Sequence, residues 1–234
     1  NFTFIFVGSL QTEKIKPLLE KYLGGLPCTH KGETYKDLGI RPPNGRIEKT
    51  VYKGTEAKAT VNLVFTGNFN YSAAEKVQME ALKEVLQIRL IERLREDESG
   101  VYSPRVGEGV DKYPQSRYHF VISFGCGPQN VEKLIASALD EINKLKTSGP
   151  PQANVDKFKA EYRRIQETDL KSNTWWLDYL VSSLQDQNDL HELNTYDSEL
   201  NKVTPESIKT MADKYLSGKN FIRLVLLPEN VRVK

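Results

Sequence analysis

The segment from Ser72 to Arg95 constrains the fold more than any other part of the chain. Ser72-Ala-Ala-Glu75 has the pattern of a capping box, which predicts the start of a helix. The helix continues for roughly six turns, to about Arg95. Its apolar positions are Val77, Ala81, Leu82, Val85, Leu86, Ile88, Leu90, Ile91 and Leu94. Because this stripe is broad, we expect the helix to pack across a sheet rather than against a single helix.

Short apolar or alternating runs predict the strands of that sheet. The predicted strands are Phe2–Val7, Arg46–Tyr52, Ala57–Phe65, Tyr118–Phe124 and Phe221–Leu227. The second and third are too close for a crossover helix, so we expect them to pair antiparallel. Further helices are predicted from a Thr12 cap, over Val131–Lys146, from Asn154 to about Leu170, from Trp175 to about Leu184, and after Thr204-Pro205. The fold class is therefore α+β, a mixed and largely antiparallel sheet with helices packed on it.

Composition excludes some classes of protein. The 234 residues carry 33 basic and 31 acidic side chains, without the clustered basic excess of a nucleic-acid binder. No apolar run reaches the roughly 18 residues of a membrane span. Residue 1 is Asn and the chain opens as a strand, so we expect 1–234 to be a single domain cut from a longer protein. Cys28 and Cys126 could be buried thiols or one disulfide, and the sequence does not decide between them.

Neither a metal site nor a nucleophile is indicated by motif. His30, His119 and His191 lie far apart, and no pair has the four-residue helical spacing that offers two imidazoles to one metal. No G-x-S-x-G elbow occurs. Cys126, between two glycines, would be reactive if it faced a cleft near positive charge. The preferred interpretation is a small residue at a tight turn from strand to helix.

Two other short segments could be functional sites, but their residue spacing favours a structural role. Glu96-Asp97-Glu98 could supply paired carboxylates, but adjacent side chains in a turn diverge, so we expect all three to be solvated. Trp175-Trp176 could stack on a ligand. Trp176, Tyr179, Leu180 and Leu184 share helical spacing, so we expect a stripe of core residues instead.

Arg95 and Tyr102 are the candidate functional residues. Arg95 ends the long helix and Tyr102 follows seven residues later, beyond a short acidic turn. A guanidinium and a phenol near one helix end suit the binding of a peptide carbonyl or an oxyanion. The structural alternative is that Arg95 complements the helix dipole, worth about 0.3–1 kcal/mol, and that Tyr102 begins a strand.

The chain resembles the pitrilysin/insulinase-type zinc metallopeptidases, also called inverzincins. Asn1-Phe-Thr-Phe-Ile-Phe-Val-Gly8 and the segment from Lys14 to Pro27 are similar to the opening of a C-terminal-type domain of that family. Leu94-Arg-Glu-Asp-Glu-Ser-Gly-Val-Tyr-Ser103 is similar to its L-R-E-x…Y-S segment. Lys202-Val-Thr-Pro-Glu206 and Phe221-Ile-Arg-Leu-Val-Leu-Leu-Pro-Glu229 are similar to the end of its large bacterial members.

The resemblance implies a division of labour between domains. In this family an H-x-x-E-H motif and a distant Glu, on a different domain, bind zinc and activate water. This chain lacks that motif, so the resemblance implies no metal site here, no activity of the chain alone, and zinc in the catalytic domain of the full-length protein. The two halves of such enzymes close around unfolded peptides, and the implied substrate contacts are Arg95 and Tyr102. The implied partner is the catalytic half, on the same chain or another subunit, and the implied compartment is the periplasm.

Two further hypotheses remain from the sequence. The domain could be a structural or protein-interaction module that contributes nothing to catalysis. An independent metalloenzyme with a nonstandard site would instead bind stoichiometric zinc in this chain alone, which we do not expect.

Overall fold

The structure is a computed structural model that describes residues 2–28, 31–32, 34–98, 100–101 and 103–231. Its strands are β1 (Arg46–Tyr52), β2 (Ala59–Asn68), β3 (Arg105–Asp111), β4 (Arg117–Cys126) and β5 (Phe221–Leu227). Its helices are α1 (Thr12–Tyr22), α2 (Ala73–Leu90), α3 (Val131–Ser148), α4 (Gln152–Asp169), α5 (Asn173–Gln185), α6 (Tyr196–Asn201) and α7 (Pro205–Tyr215). A π-helical segment, Ile91–Asp97, continues α2, and short 3-10 turns lie at Pro128–Asn130, Leu190–Thr195 and Glu229–Val231.

The predicted fold class is confirmed, because the strands form one mixed sheet with helices packed on it. The strand order is β1-β5-β2-β4-β3. Only the β1–β5 pair is parallel; β2–β5, β2–β4 and β3–β4 are antiparallel. The predicted pairing of β1 with β2 is wrong, since β5 lies between them and hydrogen-bonds to both.

The core lies between one face of the sheet and helices α2, α3 and α7. Strand β4 shows the alternation clearly, because Tyr118, Phe120, Ile122 and Phe124 are buried while His119 is exposed. Strand β2 alternates in the same way from Ala59 to Phe65. The other face stays partly open, with Leu224 39% and Leu226 42% exposed.

The N-terminal predictions need correction. Residues 2–7 form no strand and are not buried; Phe2 is 85% exposed. No neighbouring strand among the described residues pairs with them, and a strand needs a partner for its backbone groups. The predicted helix is present as α1, but Thr12 is its first residue and not its cap; Gln11 occupies the N-cap position and makes no side-chain cap. Further along, Ser72 caps α2, and Thr204 caps α7 with Pro205 in the first turn, as predicted.

Candidate functional site

The end of the long helix is fixed by the core. Seven side chains of α2 are buried, among them Leu82, Leu86 and Leu90. The π-helical segment then turns Leu94 into the core, where it is fully buried. Segments of π-helix are rare and occur frequently at functional sites. Because the backbone is anchored at Leu90 and Leu94, the exposed side of this segment has a fixed direction.

The arginines along this helix end differ in their partners. Arg89 donates from Nε and Nη2 to the buried Glu141, at 3.0 and 2.7 Å. Arg93 lies with Nε 3.0 Å from a carboxylate oxygen of Glu98. Arg95 is exposed and has no hydrogen bond or ion pair to the residues that the structure describes. Arg95 is thus the cation of this group that has no partner among the described residues, and its contact with substrate stays a prediction.

Glu98 connects the π-helical segment to α3. Its side chain is only 8% exposed, accepts a 2.6 Å hydrogen bond from Ser137 Oγ, and lies 3.2 Å from Lys133 Nζ. Burial opposes ionisation of Glu98, but the contacts from Ser137, Lys133 and Arg93 outweigh it and lower the pKa. The prediction that all three acids of the turn are solvated is wrong for Glu98. It holds for Glu96 and Asp97, which are exposed.

The chain after Glu98 is also held against the body of the domain. Gly100 donates to Leu94 O at 3.1 Å and lies against Leu134, whose Cδ2 would be 2.7 Å from a Cβ at position 100. Val101 is buried and forms an antiparallel bridge with Cys126. The Gln87 side chain donates to Pro104 O and accepts from Val106 N, both at 2.8 Å. No sequence motif marks Gln87 or Gly100, because both act through partners distant along the chain.

Tyr102 lies outside the described residues. Its proximity to Arg95 therefore stays a prediction. What the structure describes is the frame on either side, held at Gly100–Val101 and again from Pro104 onward.

The remaining sequence candidates do not converge. His30 also lies outside the described residues, and His119 is exposed on β4, with its ring over Gly109 of β3. Among the described residues, no group of three or more His, Cys, Asp and Glu side chains could hold a metal ion. Burial raises the pKa of the Cys126 thiol, which opposes thiolate chemistry. Cys126 is not joined to Cys28 in a disulfide.

The core stripe predicted for α5 is wrong. Ser183 is the buried residue of this helix, and Leu184 is 46% exposed. Helix α5 packs mainly on the 3-10 turn Leu190–Thr195 at the periphery, so its apolar spacing does not meet the sheet. Trp175 instead stacks on Tyr179, with ring centroids 5.3 Å apart and planes within 5°. Both rings line a cleft of about 840 Å³.

Comparison with known proteins gives consistent matches. Residues 1–162 match the family model described as the peptidase M16 inactive domain. A curated relative, a protein named zinc protease PQQL-like from Arabidopsis thaliana, is 27% identical over 79% of this chain and 21% of its own length. None of the helices among the described residues is long and apolar enough to cross a membrane.

Solved structures share the fold. The periplasmic protease PqqL from Escherichia coli aligns with a TM-score of 0.79 at 21% identity, over 94% of this chain and 24% of that one. The ferredoxin protease FusC, solved in complex with Arabidopsis ferredoxin, aligns with a TM-score of 0.78 at 23% identity, over 94% and 24%. The chain thus spans about a quarter of the length of these relatives. By the family model over most of its length, the chain belongs to the M16 peptidase inactive-domain family.

Proposed function

We propose that this chain, as one domain over residues 1–234, holds the peptide substrate of a zinc-dependent peptidase whose metal site lies on another domain. Arg95 and Tyr102 would contact the substrate once the two halves close around it. The observation that carries the proposal is the exposed guanidinium of Arg95, which has no hydrogen bond or ion pair among the described residues, at the end of the long helix.

The electrostatic reasoning supports a role for Arg95 in substrate binding or in the transition state. Zinc on the catalytic domain would activate the attacking water, and hydrolysis of a peptide bond places negative charge on the carbonyl oxygen in the transition state. A preorganised cation and a phenol donor stabilise that charge, and loss of one such donor costs on the order of 10²–10³ in kcat. The segment that carries Arg95 is suited to such preorganisation, because Leu94 and Glu98 hold the backbone on either side of Arg95.

The relatives support the remaining parts of the proposal. Zinc would be supplied by the catalytic half, because proteins named zinc proteases match this chain over only a quarter of their length or less. The substrate would be a polypeptide, in keeping with the relative solved in complex with ferredoxin. The resemblance to the periplasmic protease PqqL supports a periplasmic location.

The test uses the longer protease that contains this chain. We expect Arg95→Ala to lower kcat/KM for an unfolded peptide by on the order of 100-fold and Tyr102→Phe by a similar factor. Arg95→Lys should retain part of the activity, because it keeps the charge without the planar fork of donors. Arg164→Ala is the matched control, since it removes another exposed guanidinium, on α4.

Two measurements separate substrate binding from structural damage. Zinc content by elemental analysis and the urea unfolding midpoint should be the same in all these variants. Unchanged kcat/KM in both Arg95→Ala and Tyr102→Phe would contradict the proposal and would favour a purely structural or interaction role for the domain.

A further inference from the structure

We propose that the cleft between α2, β3, α4 and α5 binds a basic segment of a polypeptide. In this proposal one lysine or arginine side chain enters, with its charge at the carboxylates of Glu80 and Glu108 and its stem along Trp175 and Tyr179. The cleft has a volume of about 840 Å³, which is ample for one long side chain and lies in the usual range of ligand-binding clefts. The proposal does not depend on the role of Arg95.

Glu108 occupies an inward position of an edge strand. In the β3–β4 register Val106, Glu108 and Val110 lie opposite Ile122, Phe120 and Tyr118, which are all buried. The Glu108 carboxylate therefore lies on the core side of the sheet, between two valines. It has no hydrogen bond or ion pair to any described residue. Burial raises its pKa, and the charges of Lys83 and His119 offset only part of that shift. A carboxylate in such a position is costly unless a cation compensates it.

Glu80 lies on the face of α2 that lines the cleft across from β3. It shares that face with Val77, Glu84 and Ile88, which also line the cleft. Like Glu108, it has no hydrogen bond or ion pair within the described part of the chain. Its pKa is raised mainly by burial, and the charge of Glu108 adds to the shift. The charge of Lys83 offsets part of this shift, but its ammonium group is paired with Glu84, at 2.8 Å, and forms no ion pair with Glu80 or Glu108.

The opposite wall of the cleft is aromatic and apolar. Trp175 and Tyr179 stack in parallel, and the ring faces of such residues attract cations within about 6 Å. Phe158 and Tyr162 of α4 add apolar surface beside them. At the rim, Ile165 is 46% exposed and could pack against an apolar neighbour of the inserted side chain. This combination suits the aliphatic stem and terminal charge of lysine or arginine.

The charged side chains that line the cleft determine whether it favours a positive or a negative ligand. Its acidic residues are Glu80, Glu84, Glu108, Glu161, Asp169 and Asp178, whereas its basic residues are Lys76 and Lys157. Lys76 is already paired with Glu192, Glu84 with Lys83 and Glu161 with Arg164. Among the described residues this leaves Glu80, Glu108, Asp169 and Asp178 without an ion pair, against Lys157. The excess of carboxylates makes the cleft complementary to a basic segment and unfavourable to an acidic one.

Protection of the sheet edge is the competing explanation. An inward-pointing charge on an edge strand discourages pairing with another chain, which could account for Glu108. It does not account for Glu80 on α2, which has no hydrogen bond or ion pair among the described residues, nor for the aromatic wall. The two explanations also predict different results for the same variant.

Calorimetric titration of the 234-residue chain tests the proposal. The probe is the blocked peptide Ala-Leu-Lys-Leu-Ala, compared with versions in which norleucine or Glu replaces Lys. We expect saturable binding of the Lys peptide, at least about 10-fold weaker binding of the norleucine peptide, and no binding of the Glu peptide, since loss of a charge-assisted contact is worth about this factor. Trp175 and Trp176 are the only tryptophans of the chain, so their fluorescence should follow the same titration.

Conservative variants assign the binding to the two carboxylates. Glu80→Gln and Glu108→Gln should each weaken the Lys peptide about 10-fold or more, whereas Glu56→Gln, in an exposed turn outside the cleft, should not. Circular dichroism verifies the fold of each variant. Equal affinity for the Lys and norleucine peptides, or unchanged affinity in both Gln variants, would overturn the proposal. Dimerisation of Glu108→Gln with unchanged peptide affinity would also overturn it, in favour of edge protection.

Discussion

Removal of the Glu98 side chain should loosen the segment that carries Arg95. The carboxylate is 8% exposed and contacts α3 through Ser137 and Lys133 and its own segment through Arg93. Glu98→Ala deletes all of these contacts at once. Glu98→Gln keeps an acceptor for the Ser137 hydroxyl while it removes the charge, so the two variants divide the effect into a hydrogen-bond part and an electrostatic part.

The contacts themselves set the magnitude. A hydrogen bond to a charged group contributes about 1.5–3 kcal/mol, and the 2.6 Å bond from Ser137 is of this kind. Arg93 is 38% exposed and Lys133 66%, so solvent screening limits each ion pair to about 0.2–1 kcal/mol or less. We therefore expect Glu98→Ala to lower the free energy of unfolding by about 2–3 kcal/mol and Glu98→Gln by about 1 kcal/mol.

Urea unfolding of the two variants beside Glu96→Ala provides the measurement. Glu96 is exposed in the same turn, so its removal should change stability by no more than about 0.5 kcal/mol. The folded-state pKa of Glu98 lies below its ordinary value of 4.5, so its contribution is present above that pH and is lost as pH falls through the folded pKa. A stability loss in Glu98→Ala no larger than in Glu96→Ala, or one that persists undiminished in strong acid, would refute this reasoning.

Other predictions concern buried charges and the start of the long helix. Glu141→Ala should cost about 2–3 kcal/mol in urea unfolding, below the full value for a buried ion pair because Arg89 remains a quarter exposed. Ser72→Ala should cost about 1 kcal/mol in the same assay, since it removes the acceptor of the Glu75 amide at the first turn of α2. The pKa of Glu108 is raised by burial, so its ionisation destabilises the fold as pH rises from 4.5 through the folded pKa. Glu108→Gln should therefore flatten that decline, as unfolding midpoints at about pH 4 and about pH 8 would show.

The sequence predicts those helices and strands whose residue pattern lies within the element itself. It fails where an element depends on residues that are distant along the chain. Strand β4 follows from alternation that is visible within its own residues, and α2 from its apolar spacing. Strand β3 was not predicted, because Gly107, Glu108 and Gly109 are unfavourable in strands. The register with β4 overrides that propensity. The error in β1–β2 pairing has the same origin, since β5 enters the sheet from the far end of the chain.

The same distinction between local patterns and distant contacts applies to the residues of the candidate site. Arg95 is exposed in the last turn of the helical segment, at a position outside the apolar stripe that the sequence shows. The burial of Glu98 does not follow from such a local pattern, because it depends on Ser137 and Lys133 of α3, about 40 residues later in the chain. The spacing of apolar residues also could not reveal that α5 is mostly exposed. A helix at the periphery can carry an apolar stripe that does not meet the core, and only the tertiary structure shows where that stripe lies.

Binding partners would explain the charged side chains that have no ion pair among the described residues of this domain. Where this fold places a charge against its core it generally supplies a counter-charge, as it does for Arg93 and Glu98. Within the residues that the structure describes, Glu80 and Glu108 depart from that rule. Departures from local consistency concentrate at sites that bind or react. The two carboxylates would suit a cationic partner, and the exposed Arg95 an anionic or carbonyl one. A polypeptide can supply both, which makes it the simplest single partner for the two surfaces.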